Sequence, residues 1–377
     1  MVFIKRKYKT LNLIEISKSA LINNYNYFQQ LQPGSKICPV LKSNAYGHGL
    51  KLIGKFVDQK LNPEFVCVDS LYEAYELKKI GFKGKSLIIG YTFPENFKYK
   101  RLKNISLPVF DRQTIALLNK YQPEITVHLK IDTGMNRLGF KENQFEEIVR
   151  ELKKYPKIKV EGIYSHLASA DSGNTKDSLN QITKFKKAIS FFESFGFHFK
   201  WKHIFATAGA VKFSDPQFNM IRLGLGFYGL SPFLEKSSLA RNLENKIIPA
   251  LKLSSHIIEI KKLEKGETVG YGNTFTASRK MKIGILPIGY YDGVDRRLGN
   301  LGFVEVKGSA CQIIGKVCMN ITTVDLSSVK NVYVGQNGQI IGSKGLTSLP
   351  NISSKINTLP YQLLANLSGT TKRILIG

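Results

Sequence analysis

Two patterns in the chain predict an α/β fold: a (β/α)8 TIM barrel followed by a mainly β C-terminal domain. From about residue 11 to residue 234, short β-rich runs alternate with longer segments of helical period. Around residues 242–252 that rhythm stops, and the rest of the chain reads as short strands between glycine turns. Eight strand runs are expected in the first region, at 37–41, 65–68, 86–89, 107–110, 126–131, 160–164, 203–206 and 220–223. Helices are expected at 18–31, 70–79, 113–120, 143–154 and 180–195. Eight strands with intervening helices close into a parallel barrel. The competitor is an open doubly wound sheet, and no Gly-x-Gly-x-x-Gly turn follows the first strand to support it. In a barrel, reactive groups belong at the C-terminal strand ends. Lys42 follows the first expected strand, Arg137 the fifth and His166 the sixth, and Arg222 lies on the eighth.

The expected division is a barrel at 12–245 and a β domain at 246–377. An N-terminal strand within 1–11, in a run that extends from residue 3 to residue 16, is expected to join the β domain. In that domain helical period nearly vanishes until 361–367. No internal repeat and no low-complexity segment interrupts the chain.

At 377 residues, with 43% hydrophobic and 11% aromatic content, the chain is long enough for two packed cores. Its charge is less ordinary: 55 Lys plus Arg against 28 Asp plus Glu, a net of +27. Such an excess suits nucleic acid, an anionic membrane surface or anionic small molecules. The basic residues are spread along the chain, with short clusters at 5–7, 83–85 and 98–103, and no zinc-finger or ribonucleoprotein motif accompanies them. A lysine-rich solvated surface is the expected reading, with nucleic acid set aside. A non-enzymatic polyanion-binding protein is the rival from another class, and a steep salt dependence of binding would mark it. None of the pairs among Cys38, Cys67, Cys311 and Cys318 has Cys-x-x-Cys spacing, so reduced thiols are expected and no metal site. No signal-peptide pattern and no run of about 18 apolar residues is found, so a cytoplasmic protein without membrane spans is expected.

The most informative stretch is Cys38-Pro39-Val40-Leu41-Lys42-Ser43-Asn44-Ala45-Tyr46-Gly47-His48-Gly49. An apolar run delivers a lysine amine into a crowded turn of small residues, a tyrosine and glycines. A lysine desolvated in such a place is a Schiff-base nucleophile; in the bland alternative it is a strand-edge lysine with a wet head. The segment resembles the cofactor-lysine motif of the alanine racemases, pyridoxal-phosphate enzymes of fold type III. Nearly every position from Val40 to Gly49 fits. The barrel-plus-β organisation extends the resemblance from Leu13 to about Arg373.

That resemblance implies pyridoxal 5'-phosphate as cofactor, an amino acid as substrate, and racemisation between L- and D-alanine for peptidoglycan. It implies Lys42 as the covalent attachment point and one base. Tyr271, in Gly270-Tyr271-Gly272, is implied as the second base, contributed by the other subunit of a homodimer. Tyr46, Thr207, Gly224 and Leu225 are implied at the phosphate, and His166 beside the ring. Arg222 is implied at the ring nitrogen, where a guanidinium donates without surrendering its proton. Arg137 and, from the partner subunit, the backbone amide of Met319 are implied at the substrate carboxylate. Lys130 matches a lysine that is carbamylated in some members; an unmodified lysine paired with Asp132 is the other reading. Asn320 stands where most members read Asp, and Gly369 lies near the position of a tyrosine found in some members. Both departures leave a serine or broader-specificity racemase open beside an alanine racemase.

Overall fold

The computed structural model describes residues 9–98, 102–233 and 237–377. The chain forms two compact units, one of residues 20–45 and 53–248, the other of residues up to 19, 46–52 and 249–377.

The first unit is a closed parallel barrel. Six strands, Phe65–Val68, Lys85–Ile88, Ile105–Val109, Thr126–Lys130, Lys159–Tyr164 and Trp201–His203, pair in sequence order, each parallel to the next. Lys36–Pro39 and Met220–Leu223 pair with each other. They join the six through bridges from Val40 to Cys67 and from Arg222 to Ala206. Phe65–Val68 and Ile105–Val109 are buried at every position, as strands covered on both faces require. Helices Lys18–Leu31, Leu71–Lys79, Arg112–Tyr121, Phe145–Lys154 and Lys176–Ser194 follow the expected order. Ser70 caps the helix Leu71–Lys79 by accepting the Glu73 N–H, and Asp111 caps Arg112–Tyr121 by accepting the Thr114 N–H.

Some details differ from expectation. The strand expected at 203–206 is Trp201–His203, because its ladder partners are Gly162 to Tyr164; beyond it only Ala206 bridges. The helix expected from residue 180 starts at Lys176. The helix Leu50–Lys60, with Leu50, Ile53, Phe56 and Val57 buried at helical spacing, was not foreseen.

The second unit is built on a six-stranded sheet in the order Ser309–Gln312, Phe303–Val306, Asn337–Ile341, Leu251–His256, Leu13–Ser17, Lys372–Ile376. A three-stranded sheet of Glu259–Leu263, Met281–Leu286 and Thr322–Asp325 accompanies it. The N-terminal strand is Leu13–Ser17, whose Ile14 and Ile16 are fully buried. The expected strand at 1–11 falls mostly outside the described residues, and residues 9–11 are not extended into the sheet. Two short helices, Leu349–Lys355 and Pro360–Ala365, interrupt the β pattern; the first was not expected, since Pro350, Asn351 and two serines disguise it.

The 46–52 segment is held to this unit by Arg373. Its Nε donates to Gly47 O at 2.8 Å, and its other amines reach the carbonyls of Thr371 at 2.7 Å and Ser368 at 2.9 Å. Gly47 has φ +77°, and a Cβ there would stand 1.9 Å from Leu364 O. Only glycine satisfies both demands. Gly47→Ala is therefore expected to cost at least about 2 kcal/mol of stability. Thermal denaturation checks this, and an unchanged midpoint refutes it.

Candidate active site

The backbone leading to Lys42 is secured on both sides. Val40 N–H donates to Leu223 O at 2.9 Å, and Val40 O accepts the Tyr228 hydroxyl at 2.9 Å. Leu41 N–H donates to Cys67 O at 2.7 Å. After Lys42, four successive non-glycine residues, Ser43 to Tyr46, have φ between 50° and 55°. Each left-handed residue costs roughly 1–2 kcal/mol, so the turn persists only where its surroundings enforce it. Glu73 is one enforcer. Its carboxylate accepts the Asn44 N–H at 3.3 Å and the Asp69 N–H at 2.8 Å. Sequence reasoning did not select Glu73. Its signal was Ser70-x-x-Glu73 ahead of an apolar run, a helix-start pattern that says nothing of a neighbouring turn.

Arg222 organises the interior of the barrel end. It is only 4% exposed, yet among the described residues no carboxylate lies within 4.0 Å of it. NH1 donates to His203 Nδ1 at 2.7 Å and His203 O at 3.2 Å. NH2 donates to Ser165 O at 2.7 Å, Ile204 O at 3.1 Å and His166 Nδ1 at 3.1 Å. Among the described residues the Nε–H has no hydrogen bond. The guanidinium lies 5.3 Å from the centre of the Tyr164 ring, which stacks on His203 at 5.0 Å. A guanidinium only donates, so the facing nitrogens of His166 and His203 must carry lone pairs. Burial, then Arg222, push the His166 pKa down to about 3 and that of His203 well below its ordinary range. Tyr164 and His203 were not selected from sequence. Tyr164 is the last residue of the strand Lys159–Tyr164, two positions before His166, and that nearness was a readable signal.

Lys130 completes the charge cluster. It is 6% exposed and holds its amine 5.4 Å from the Tyr164 ring centre. Burial, then Arg137, Arg222 and Lys42, lower its pKa to about 8, with Asp132 opposing. No ion pair within 4.0 Å joins Lys130 to Asp132 among the described residues, although the Asp132 charge still acts on Lys130. Asp132 instead accepts the N–H groups of Gly134 and Asn136, both at 3.0 Å, and shapes the loop that carries Arg137. Gln181 ties that loop to the next one by donating to Thr133 Oγ1 at 3.2 Å and His166 O at 3.1 Å. Thr207 is buried and accepts the Gly226 N–H at 3.1 Å, next to Gly224 and Leu225. The barrel unit thus gathers Lys42, Lys130, Arg137, His166, Thr207, Arg222, Gly224 and Leu225 at strand ends.

The remaining selected residues belong to the β unit. Tyr271 is 74% exposed on a short turn between Gly270 and Gly272, whose φ values are 73° and 74°. Val269 and Phe275, on either side of that turn, pack with Leu263, Ala277, Met281, Ile283 and Ile314 and brace it. Met319 is 55% exposed, and Asn320 beside it is exposed as well. Tyr291 N–H donates to Met319 O at 3.0 Å. Tyr46 leads into Gly47, and His48 Nδ1 meets Tyr46 O at 2.9 Å. Gly369 is exposed, with nothing within 4 Å of where a Cβ would stand.

The alanine racemase N-terminal domain model matches residues 16–232, and the C-terminal domain model matches residues 250–375. The chain belongs to the alanine racemase family. It is 35% identical to an alanine racemase of Leptospira interrogans over 376 residues, covering 96% of this chain and 95% of that protein. It is 32% identical to an amino-acid racemase of Enterococcus faecalis, over 94% of this chain but 49% of that longer protein. The solved alanine racemase of Clostridium difficile superposes with a TM-score of 0.91 at 29% identity, covering 98% and 97% of the two chains. Family membership agrees with the barrel-plus-β architecture, and no described helix is long and apolar enough to cross a membrane.

Lys130 makes the stability of this family member pH-dependent in a definite direction. Its folded-state pKa is about 8, against an ordinary value of 10.5. Between those values the unfolded chain binds the extra proton, so this residue's contribution to stability rises with pH. In CO2-free buffer, Lys130→Met is expected to melt above the wild type near about pH 7. The gap narrows toward about pH 10, where the wild-type lysine has discharged. Parallel melting-temperature profiles for the two proteins contradict it.

Proposed function

We propose that the protein is a racemase that interconverts L- and D-alanine with pyridoxal 5'-phosphate, and so supplies D-alanine for cell-wall peptide. The observation that carries this reading is the charge cluster. Lys42, Lys130, Arg137 and Arg222 interact at one end of the barrel, and none of the four has a carboxylate within 4.0 Å among the described residues. Lys130 and Arg222 are buried, Lys42 is partly buried and Arg137 is exposed; the buried pair is costly unless an anion joins it. A phosphate dianion and a substrate carboxylate are anions of the right kind.

The residues present fit the cofactor. The free Nε–H of Arg222 suits a ring nitrogen that accepts. When bound, pyridoxal phosphate draws electron density from the substrate's α-carbon and acidifies its hydrogen. Lys42 would hold the cofactor, and its free amine would move a proton at one face of that carbon. Tyr271 of the partner subunit moves a proton at the opposite face through its hydroxyl. Arg222 would face the ring nitrogen as a donor that does not give up its proton, and would so favour return of a proton to the substrate carbon over side reactions. Arg137 and the backbone amide of Met319 of the partner subunit would orient the substrate carboxylate. Thr207, Tyr46 and the backbone at Gly224 and Leu225 hold the phosphate. His166 fills the ring's flank, and Lys130, carbamylated by CO2 on its neutral amine, becomes the anion that braces Arg137.

A homodimer is part of this reading. Exposed Tyr271, Tyr290, Tyr291, Met319 and Ile321 give the β unit an apolar surface of the kind that seeks a partner. The site of action is the cytoplasm. A second reading, a racemase that also accepts serine, is supported by the open space at Gly369 and by Asn320 in place of a carboxylate.

Purified protein with added cofactor and a panel of L-amino acids, followed by chiral chromatography, tests the proposal. D-alanine should dominate; D-serine in comparable amount favours the second reading, and no D-product rejects both. Lys42→Ala should lose the borohydride-fixable cofactor and all turnover. Tyr271→Phe should keep the cofactor and lose about 10²-fold or more in rate. Full activity in both directions for Tyr271→Phe eliminates the two-base scheme.

A further inference from the structure

The hydrogen bonds of Arg222 continue past His203 into the barrel. His203 Nδ1 accepts from Arg222, so a neutral His203 carries its proton on Nε2. That Nε2 lies 2.9 Å from His128 Nδ1, which must then accept. His128 in turn carries its proton on Nε2, which is buried with no partner in the structure. Both rings are completely buried, and burial lowers the His128 pKa to about 3, so neither ring carries a second proton.

The strand pairing makes a place for His128. A register shift between Val127 and His128 sets His128 opposite Gly162. A Cβ on Gly162 would lie 2.4 Å from His128 Nδ1, so the glycine vacates the volume the ring fills. Phe65 closes it edge-on, with ring centres 5.7 Å apart. The other His203 tautomer would set an Nδ1–H against the Arg222 NH1 donor at 2.7 Å, two hydrogens facing each other.

We propose that His128 is a positioning residue: by accepting from His203 Nε2–H it holds His203 in the tautomer that receives Arg222, and so fixes the guanidinium with its Nε–H turned to the site. The link to cofactor binding rests on the function proposed above; the tautomer assignment does not.

Long-range proton–nitrogen correlation spectra of holoenzyme labelled with 15N-histidine test it, since the chain has only six histidines. Two variants complete the experiment. His128→Asn keeps an acceptor near the Nδ1 position, and His128→Leu removes it. His203 should be the pure Nε2–H tautomer in the wild type and in His128→Asn, and a mixture in His128→Leu. Cofactor affinity, read by the absorbance of the bound form, should fall about tenfold in His128→Leu and be largely restored in His128→Asn. A wild-type His203 protonated on Nδ1 overturns the proposal, and that spectrum decides even if His128→Leu does not fold. Equal cofactor affinity in the two variants also overturns it. A wild type with the stated tautomers that takes up no cofactor supports the histidine relay and defeats the functional reading instead.

Discussion

A buried guanidinium without a carboxylate sets the terms for the barrel interior. Arg222 can only donate, so every group around it has to accept. The chain meets that demand with three carbonyls and two imidazole nitrogens. Because these acceptors are neutral, the positive charge stays uncompensated, and its field reaches the neighbours. It helps hold His166 and His203 unprotonated and helps depress Lys130. The field at this end of the barrel therefore favours an anion. A carboxylate partner for Arg222 would have stabilised the empty barrel and spoiled that property.

The second constraint is backbone geometry around Lys42. A left-handed run of four non-glycine residues is unfavourable at each step, yet it follows Lys42 at once and leads directly into Gly47. The barrel side contributes Glu73, which takes the Asn44 N–H. The β unit contributes Arg373, whose four donor contacts saturate the carbonyls of Gly47, Leu367, Ser368 and Thr371. Neither residue touches the reacting groups in the proposed scheme. Both restrict the conformations open to the segment that does.

Much of the fold was legible because its signals are local. The strands at 65–68 and 220–223 and the helix at 18–31 were read to the residue, since buried β-branched runs and helical spacing of apolar side chains are properties of the segment alone. The strand at 201–203 was misplaced because its limits come from pairing with Gly162 to Tyr164, a neighbour about forty residues away in sequence. The helix Leu349–Lys355 was missed because its weak intrinsic pattern is rescued by packing of Leu349 and Ile352. In the site, residues inside a dense motif or at a strand end were found. Glu73, His203, His128 and Gln181 were not, for each acts through a partner distant in sequence.

The sequence by itself determined the architecture, the family and the chemically distinctive residues, because periodicity, glycine punctuation and the Val40–Gly49 motif are written in adjacent positions. Only the tertiary structure decided which of those groups are buried together, which histidine nitrogens face Arg222, and that Lys130 makes no close ion pair with Asp132. Those properties depend on distance and desolvation. Both are set when strands remote in the chain close into a barrel, and neither has a trace in the order of residues.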